Sequence, residues 1–221
     1  MKLLFSTIGK KIQVALSGIF LMVFLLFHLI NNLMLFGGAD QFNSMVLFLE
    51  SIKPLVRIME FGLLLLLIMH TGNAIKLTWE NKKLTSAYNK HEYKKFSSLN
   101  SRTMAISGSV ILVFIIIHLF YIWWTYQAHA FITPQETYYD VILRNEMGYL
   151  NHLPTAIFYI LAIFSIGFHL KHGFESALKT FGITSNTPKA KLLYSLSFLF
   201  WGIIPAGFIF IILCIQIGVI K

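Results

Sequence analysis

Residues 103–126 read TMAISGSVILVFIIIHLFYIWWTY. The stretch holds no Asp, Glu, Lys or Arg, and His118 is its one ionisable side chain near neutral pH. About 20 apolar residues carry a helix across roughly 30 Å of hydrocarbon, so an uncharged run of this length is a membrane-span candidate. Four further runs qualify, at 12–36, 55–77, 153–174 and 192–220. The expected fold is an all-α integral membrane protein, a single domain over 1–221 built as a bundle of five transmembrane helices. Gly202, Pro205 and Gly207 in the fifth run predict a kink, which neighbouring helices can accommodate. Lys10 and Lys11 precede the first run as in a signal peptide, but that run is too long and no small-residue cleavage site follows it. We expect a retained first helix.

Composition agrees. Hydrophobic residues make up 57% of the 221 and charged residues 12%, about half the charge of a soluble domain; mean hydropathy is +0.71. Twenty-one phenylalanines exclude a disordered chain. A lone cysteine, Cys214, excludes a disulfide framework, a thiolate zinc site, an iron–sulfur cluster held by this chain alone, and covalent haem attachment through CxxCH.

Lys and Arg are unevenly spread. The N-terminus and the second and fourth connections carry fourteen of the eighteen, and the opposite side carries Lys53, Arg57, Arg144 and Lys221. The positive-inside bias then predicts a cytoplasmic N-terminus and an outside C-terminus. That bias accounts for the net charge of +9, so no nucleic-acid partner is called for. Residues 40–53 alternate polar and apolar types at helical spacing and predict a short interfacial helix before Pro54. Residues 133–151 read as a polar external loop. No internal repeat or low-complexity tract is expected.

Eight histidines are present. His91, His129 and His152 fall in connections and read as solvated surface. His28, His70, His118, His169 and His172 lie inside spans, where ionisable residues are expensive and face the bundle interior with a partner. A single such ring is adequately explained as a neutral imidazole bonded to a carbonyl. Four helices bearing one at matched depths are not. At 1.5 Å per residue, His28 falls about 6 Å and His118 about 4–5 Å outside the midplane, and His70 and His169 about 6 Å inside it. The pairs are then separated by about 10–12 Å along the membrane normal. Each pair joins alternate spans, first with third and second with fourth. Two imidazoles approaching from opposite faces suit a flat macrocycle, and neutral imidazole is a good iron ligand. With both axial positions filled the iron has no open site, so electron transfer is the expected task.

Zinc or copper would need three or four ligands converging on one point, which the two levels oppose. A proton relay would need carboxylates along a path, and the third and fourth runs have none in their central apolar portions. His172 lies one turn from His169, beside Lys171, and reads as a polar interfacial residue. Gln13, Ser17, His172 and Lys179 are candidates for haem propionate contacts, set against an ordinary interfacial role. Gly18, Gly72, Gly108 and Gly167 are positions where a macrocycle, or simply a neighbouring helix, can approach closely. Glu60, near the outer end of the second run, is the candidate quinone-site residue; beside Arg57 it also reads as a helix-end carboxylate.

Several segments resemble the di-haem cytochrome b membrane subunit of succinate:quinone oxidoreductases and quinol:fumarate reductases, in its single-chain, five-helix form. They are FLLFHLINN around His28, GGADQFNSMVLFLESIKP directly after it, LLIMHTGNAI around His70, FIIIHLFYIWW around His118, IGFHLKHGFES around His169, and GITSNTP before the fifth run. The resemblance covers nearly the whole chain. It implies two bis-histidine b haems, His28 with His118 and His70 with His169. It also implies an iron–sulfur subunit and a flavoprotein on the cytoplasmic face of a bacterial inner membrane, and menaquinone as electron partner. The chain departs from some fumarate-reducing relatives at Gly167, where they place a glutamate. Two other readings remain: the cytochrome b subunit of a hydrogenase or nitrate reductase, and a haem-free transporter or assembly factor.

Overall fold

The computed structural model describes residues 6–86, 99–128, 135–183 and 187–221. His91 and His129 lie outside these. Among the described residues the regular structure is helical, with no strand. Five helices are long and apolar enough to cross a membrane: Thr7–Ser51, Lys53–Lys83, Thr103–Ala128, Leu153–Thr180 and Ala190–Gln216.

The helices outrun the apolar runs that announced them. The second continues to Ser86 and the fourth to Thr180, because backbone hydrogen bonding persists after the side chains turn polar. Ser6 starts the first span, its hydroxyl accepting the N–H of Gly9 at 3.0 Å, which satisfies one of the donors a helix start leaves open. That span runs as an α-helix from Thr7 to Leu33 and tightens into a 3₁₀ turn, Met34–Gly37. It then breaks at Gly38, whose φ of +79° suits glycine alone. A second helix, Gly38–Ser51, follows and fulfils the expectation of a short helix before Pro54.

The first span packs against the second, fourth and fifth, and the fourth packs against the first, third and fifth. The cyclic order is second, first, fourth, third, so the diagonals join first to third and second to fourth. Among the described residues no contact of comparable extent joins second and third. Their apolar stretches bury no residue, whereas a third of the corresponding residues in the fourth and fifth are buried. The seam between the second and third spans is thus the least packed.

Two π-helical turns interrupt the bundle. One, Leu199–Ile203, precedes Pro205. Proline has no N–H, so the Trp201 carbonyl loses its usual partner. It backs onto Gly167, where an added Cβ would lie 3.1 Å from it. The expected irregularity in the fifth span is therefore a π turn seated on a glycine. The other, Leu119–Trp123, directly follows His118.

Residues 135–152 correct the expectation of a polar loop. They form a cap over the end of the bundle opposite the N-terminus, with Tyr139, Val141, Ile142, Tyr149 and Leu150 buried. A short helix, Tyr138–Ile142, is set by a capping box in which Thr137 and Asp140 satisfy each other's backbone N–H. The N–H of Tyr139 donates to Asn43 Oδ1 at 3.1 Å, and the Tyr138 hydroxyl donates to Glu50 at 2.7 Å. Burial and that bond to Glu50 push the Tyr138 phenol up to about 12, so it remains a neutral donor. The apolar partners of the cap, Phe42 and the end of the fifth span, are remote in sequence, which is why 133–151 reads by composition as a polar loop.

Candidate functional site

The diagonals of the bundle carry the histidines. The His28 and His118 rings lie 5.8 Å apart, centroid to centroid, at an interplanar angle of 85°. His70 and His169 lie 6.4 Å apart at 65°. Two imidazole nitrogens, each about 2 Å from one metal, leave their ring centroids about 6 Å apart. Both pairs meet that spacing, and rotation about each metal–nitrogen axis leaves the interplanar angle free.

The other ring nitrogen decides which nitrogen can serve as ligand. His70 Nδ1 lies 3.1 Å from the Val14 carbonyl oxygen and 3.1 Å from Ser17 Oγ. A carbonyl only accepts, so Nδ1 carries the proton and Nε2 keeps the lone pair. His169 Nδ1 lies 3.1 Å from Ser107 Oγ. Near the cap, His118 Nδ1 lies 3.4 Å from the Tyr159 hydroxyl. Phe24 stacks on His28 at 5.4 Å and Phe208 of the fifth span closes on it at 5.6 Å. Ligating histidines characteristically hand their second nitrogen to such a partner, which fixes tautomer and ring orientation.

Gly18 and Gly108 face these rings. An added Cβ on Gly18 would lie 3.3 Å from His70 Cε1, and on Gly108 3.5 Å from His169 Cε1. Gly72 faces open space. The structure thus sorts the candidate glycines, two toward imidazoles and Gly167 toward a backbone.

Of the candidate propionate contacts, Ser17 is 0% exposed and its hydroxyl is committed to the Gln13 carbonyl at 2.7 Å and to His70. Gln13 Oε1 accepts from Asn73 Nδ2 at 2.8 Å, joining first and second spans beside the Lys10–Glu80 ion pair. His172 is half-buried and Lys179 exposed. His152 is the residue before the first turn of the fourth span, and its ring contacts the Thr155 side chain, Nδ1 to Oγ1, at 2.9 Å. No group of three or more His, Cys, Asp or Glu converges on one point among the described residues.

Glu60 spans the weak seam. One carboxylate oxygen accepts from Trp123 Nε1 at 2.9 Å and Gln127 Nε2 at 3.3 Å, and the other accepts from Arg57 at 2.8 Å. It ties second span to third near the capped end. Glu60→Gln is expected to cost about 1–2 kcal/mol, the scale of a partly exposed charge-assisted bond, read as a lower Tm in detergent. A changed KM for quinone with Tm unmoved would instead mark Glu60 as a quinone contact.

Compared with family models, curated proteins and solved structures, the chain finds no match in any of the three.

Proposed function

We propose that this chain is a five-helix cytochrome b, the membrane anchor and electron-transfer subunit of a succinate dehydrogenase or fumarate reductase complex. In this reading it passes electrons between an iron–sulfur subunit and menaquinone. The observation that carries it is the meeting of imidazoles across both diagonals of the bundle at metal-bridging separation.

His28 and His118 would hold one b haem, and His70 and His169 the other. A haem held by two histidines would supply one-electron transfer. The protein's part is orientation and insulation. Serine, carbonyl and tyrosine oxygens hold Nδ1 of three of the four rings, while Phe24 and Phe208 keep the His28 side apolar. The glycines let His70 and His169 lie against neighbouring backbones. Gln13, His172 and Lys179 would be the propionate contacts. The Lys/Arg bias supports an N-terminal end on the cytoplasmic side, and in this reading, in a bacterial inner membrane, the iron–sulfur and flavoprotein subunits would dock there.

A reduced-minus-oxidised spectrum of the purified complex tests this. Sharp low-spin b-type bands at two haems per chain are expected, together with a co-purifying flavoprotein. A flat spectrum overturns the haem reading; a nickel or molybdenum subunit in place of the flavoprotein would transfer the chain to another respiratory complex.

A further inference from the structure

The hydrogen bonds of His70 and His169 expose a repeat that the sequence was not expected to contain. Residues 17–28 read SGIFLMVFLLFH and residues 107–118 read SGSVILVFIIIH. Each is Ser-Gly, nine residues, then His. Eleven residues make three helical turns plus about 20°, so serine and histidine of each copy share a face, with about 16 Å of helix between them, and the glycine lies about 100° round from the serine. The histidines of the two copies meet each other near the cap. The Ser-Gly steps at the other end each receive a histidine from another span: Ser17 and Gly18 receive His70, and Ser107 and Gly108 receive His169.

The direction of the bonds follows from the partners. Ser17 Oγ donates to the Gln13 carbonyl at 2.7 Å and Ser107 Oγ donates to the Met104 carbonyl at 3.0 Å. Each hydroxyl proton is committed to its own helix, so the oxygen's lone pairs face the imidazole and accept Nδ1–H. The adjacent glycine keeps the approach open: an added Cβ would crowd His70 at 3.3 Å and would come into ordinary contact with His169 at 3.5 Å.

We infer that Ser17 and Ser107 are positioning residues for the His70–His169 pair, holding Nδ1–H so that each ring keeps its Nε2 lone pair for a metal and donates more strongly. The inference rests on the haem reading above and deepens it. A bond accepted from Nδ1–H raises the electron-donating strength of the ring and favours the ferric state. Removing the acceptor therefore raises the midpoint potential of the haem held by that pair. The two serines are unequal. His70 retains the Val14 carbonyl when Ser17 is lost, while His169 depends on Ser107.

The test is a spectroscopic redox titration of the purified complex, with electron paramagnetic resonance of the ferric haems. In Ser107→Ala one haem is expected to shift its ferrous-to-ferric ratio at fixed potential by about three- to tenfold, the worth of one hydrogen bond. Ser17→Ala shifts the same haem less. That haem is the one missing from His70→Ala, and the other haem is unmoved. Ser107→Thr, which keeps the hydroxyl, restores the wild-type potential, and Ser107→Cys, close in volume with a weaker acceptor, falls between should Ser107→Ala fold poorly. Unchanged potentials in Ser107→Ala and Ser107→Cys, or a shift confined to the haem retained by His70→Ala, overturn the inference while leaving the haem reading intact. A haem-free wild-type complex overturns both.

Discussion

His70→Ala is expected to remove one of two b haems and leave the second in place, roughly halving the α-band of the reduced spectrum. The ring it deletes meets the His169 ring across the second diagonal, and the cap-end pair lies on other spans. Loss of partners that merely orient a ligand weakens metal sites by 10–100-fold, and loss of the ligand itself exceeds that. His169→Ala should remove the same haem, and His28→Ala and His118→Ala the other. Haem counts by pyridine haemochrome, with circular dichroism to confirm helix content, decide the matter. Added free imidazole should partly refill the space left in His70→Ala. Should His28→Ala and His70→Ala delete the same haem, the pairing along the diagonals is wrong.

Gly148→Ala is expected to be the most damaging single methyl in the cap. Gly148 has φ +99°, a region that L side chains rarely adopt. Its Cβ would fall 2.1 Å from Tyr121 Cδ1 and 2.2 Å from Cγ. A ring fixed edge-on against Tyr149 cannot retreat as a flexible side-chain end would. The Gly148 N–H also donates to buried Thr155 Oγ1 at 3.0 Å, so moving the backbone loses a bond. Backbone strain of about 1–3 kcal/mol and overpacking of similar size together make about 2–6 kcal/mol. For a chain of this length that lowers Tm by about 4–24 °C. Gly182→Ala is the control, with φ +76° and nothing within 4 Å of the new Cβ, and should show the strain alone. Equal losses in both variants would mean that Tyr121 yields freely.

Much of the site could be read from the chain because helix rise and direction are local properties. His28 and His118 sit on ascending spans and His70 and His169 on descending ones, so counting residues from each apolar centre sorts them by depth. The i, i+3 pairing of Arg57 with Glu60 was equally readable. What escaped were partners remote in sequence. Trp123 and Gln127 reach Glu60 across more than sixty residues, and Ser107 reaches His169 across a similar separation. Ser17 looked like an interfacial hydroxyl until its burial against His70 was seen. The twelve-residue repeat was available as a signal, but only five of its positions are identical, and its meaning lies in what the serines touch.

Sequence alone determined that the chain is five apolar helices, roughly where each begins, and that its spans bring histidine to two levels. Uncharged runs must close their own hydrogen bonds in lipid, and a helix advances by a constant step. Only the tertiary structure decided which spans stand on the diagonals, that residues 135–152 fold into a buried cap, and that serine and glycine seat the imidazoles. Those outcomes depend on packing between surfaces scores of residues apart, where a side chain's neighbours follow from shape and not from its place in the chain.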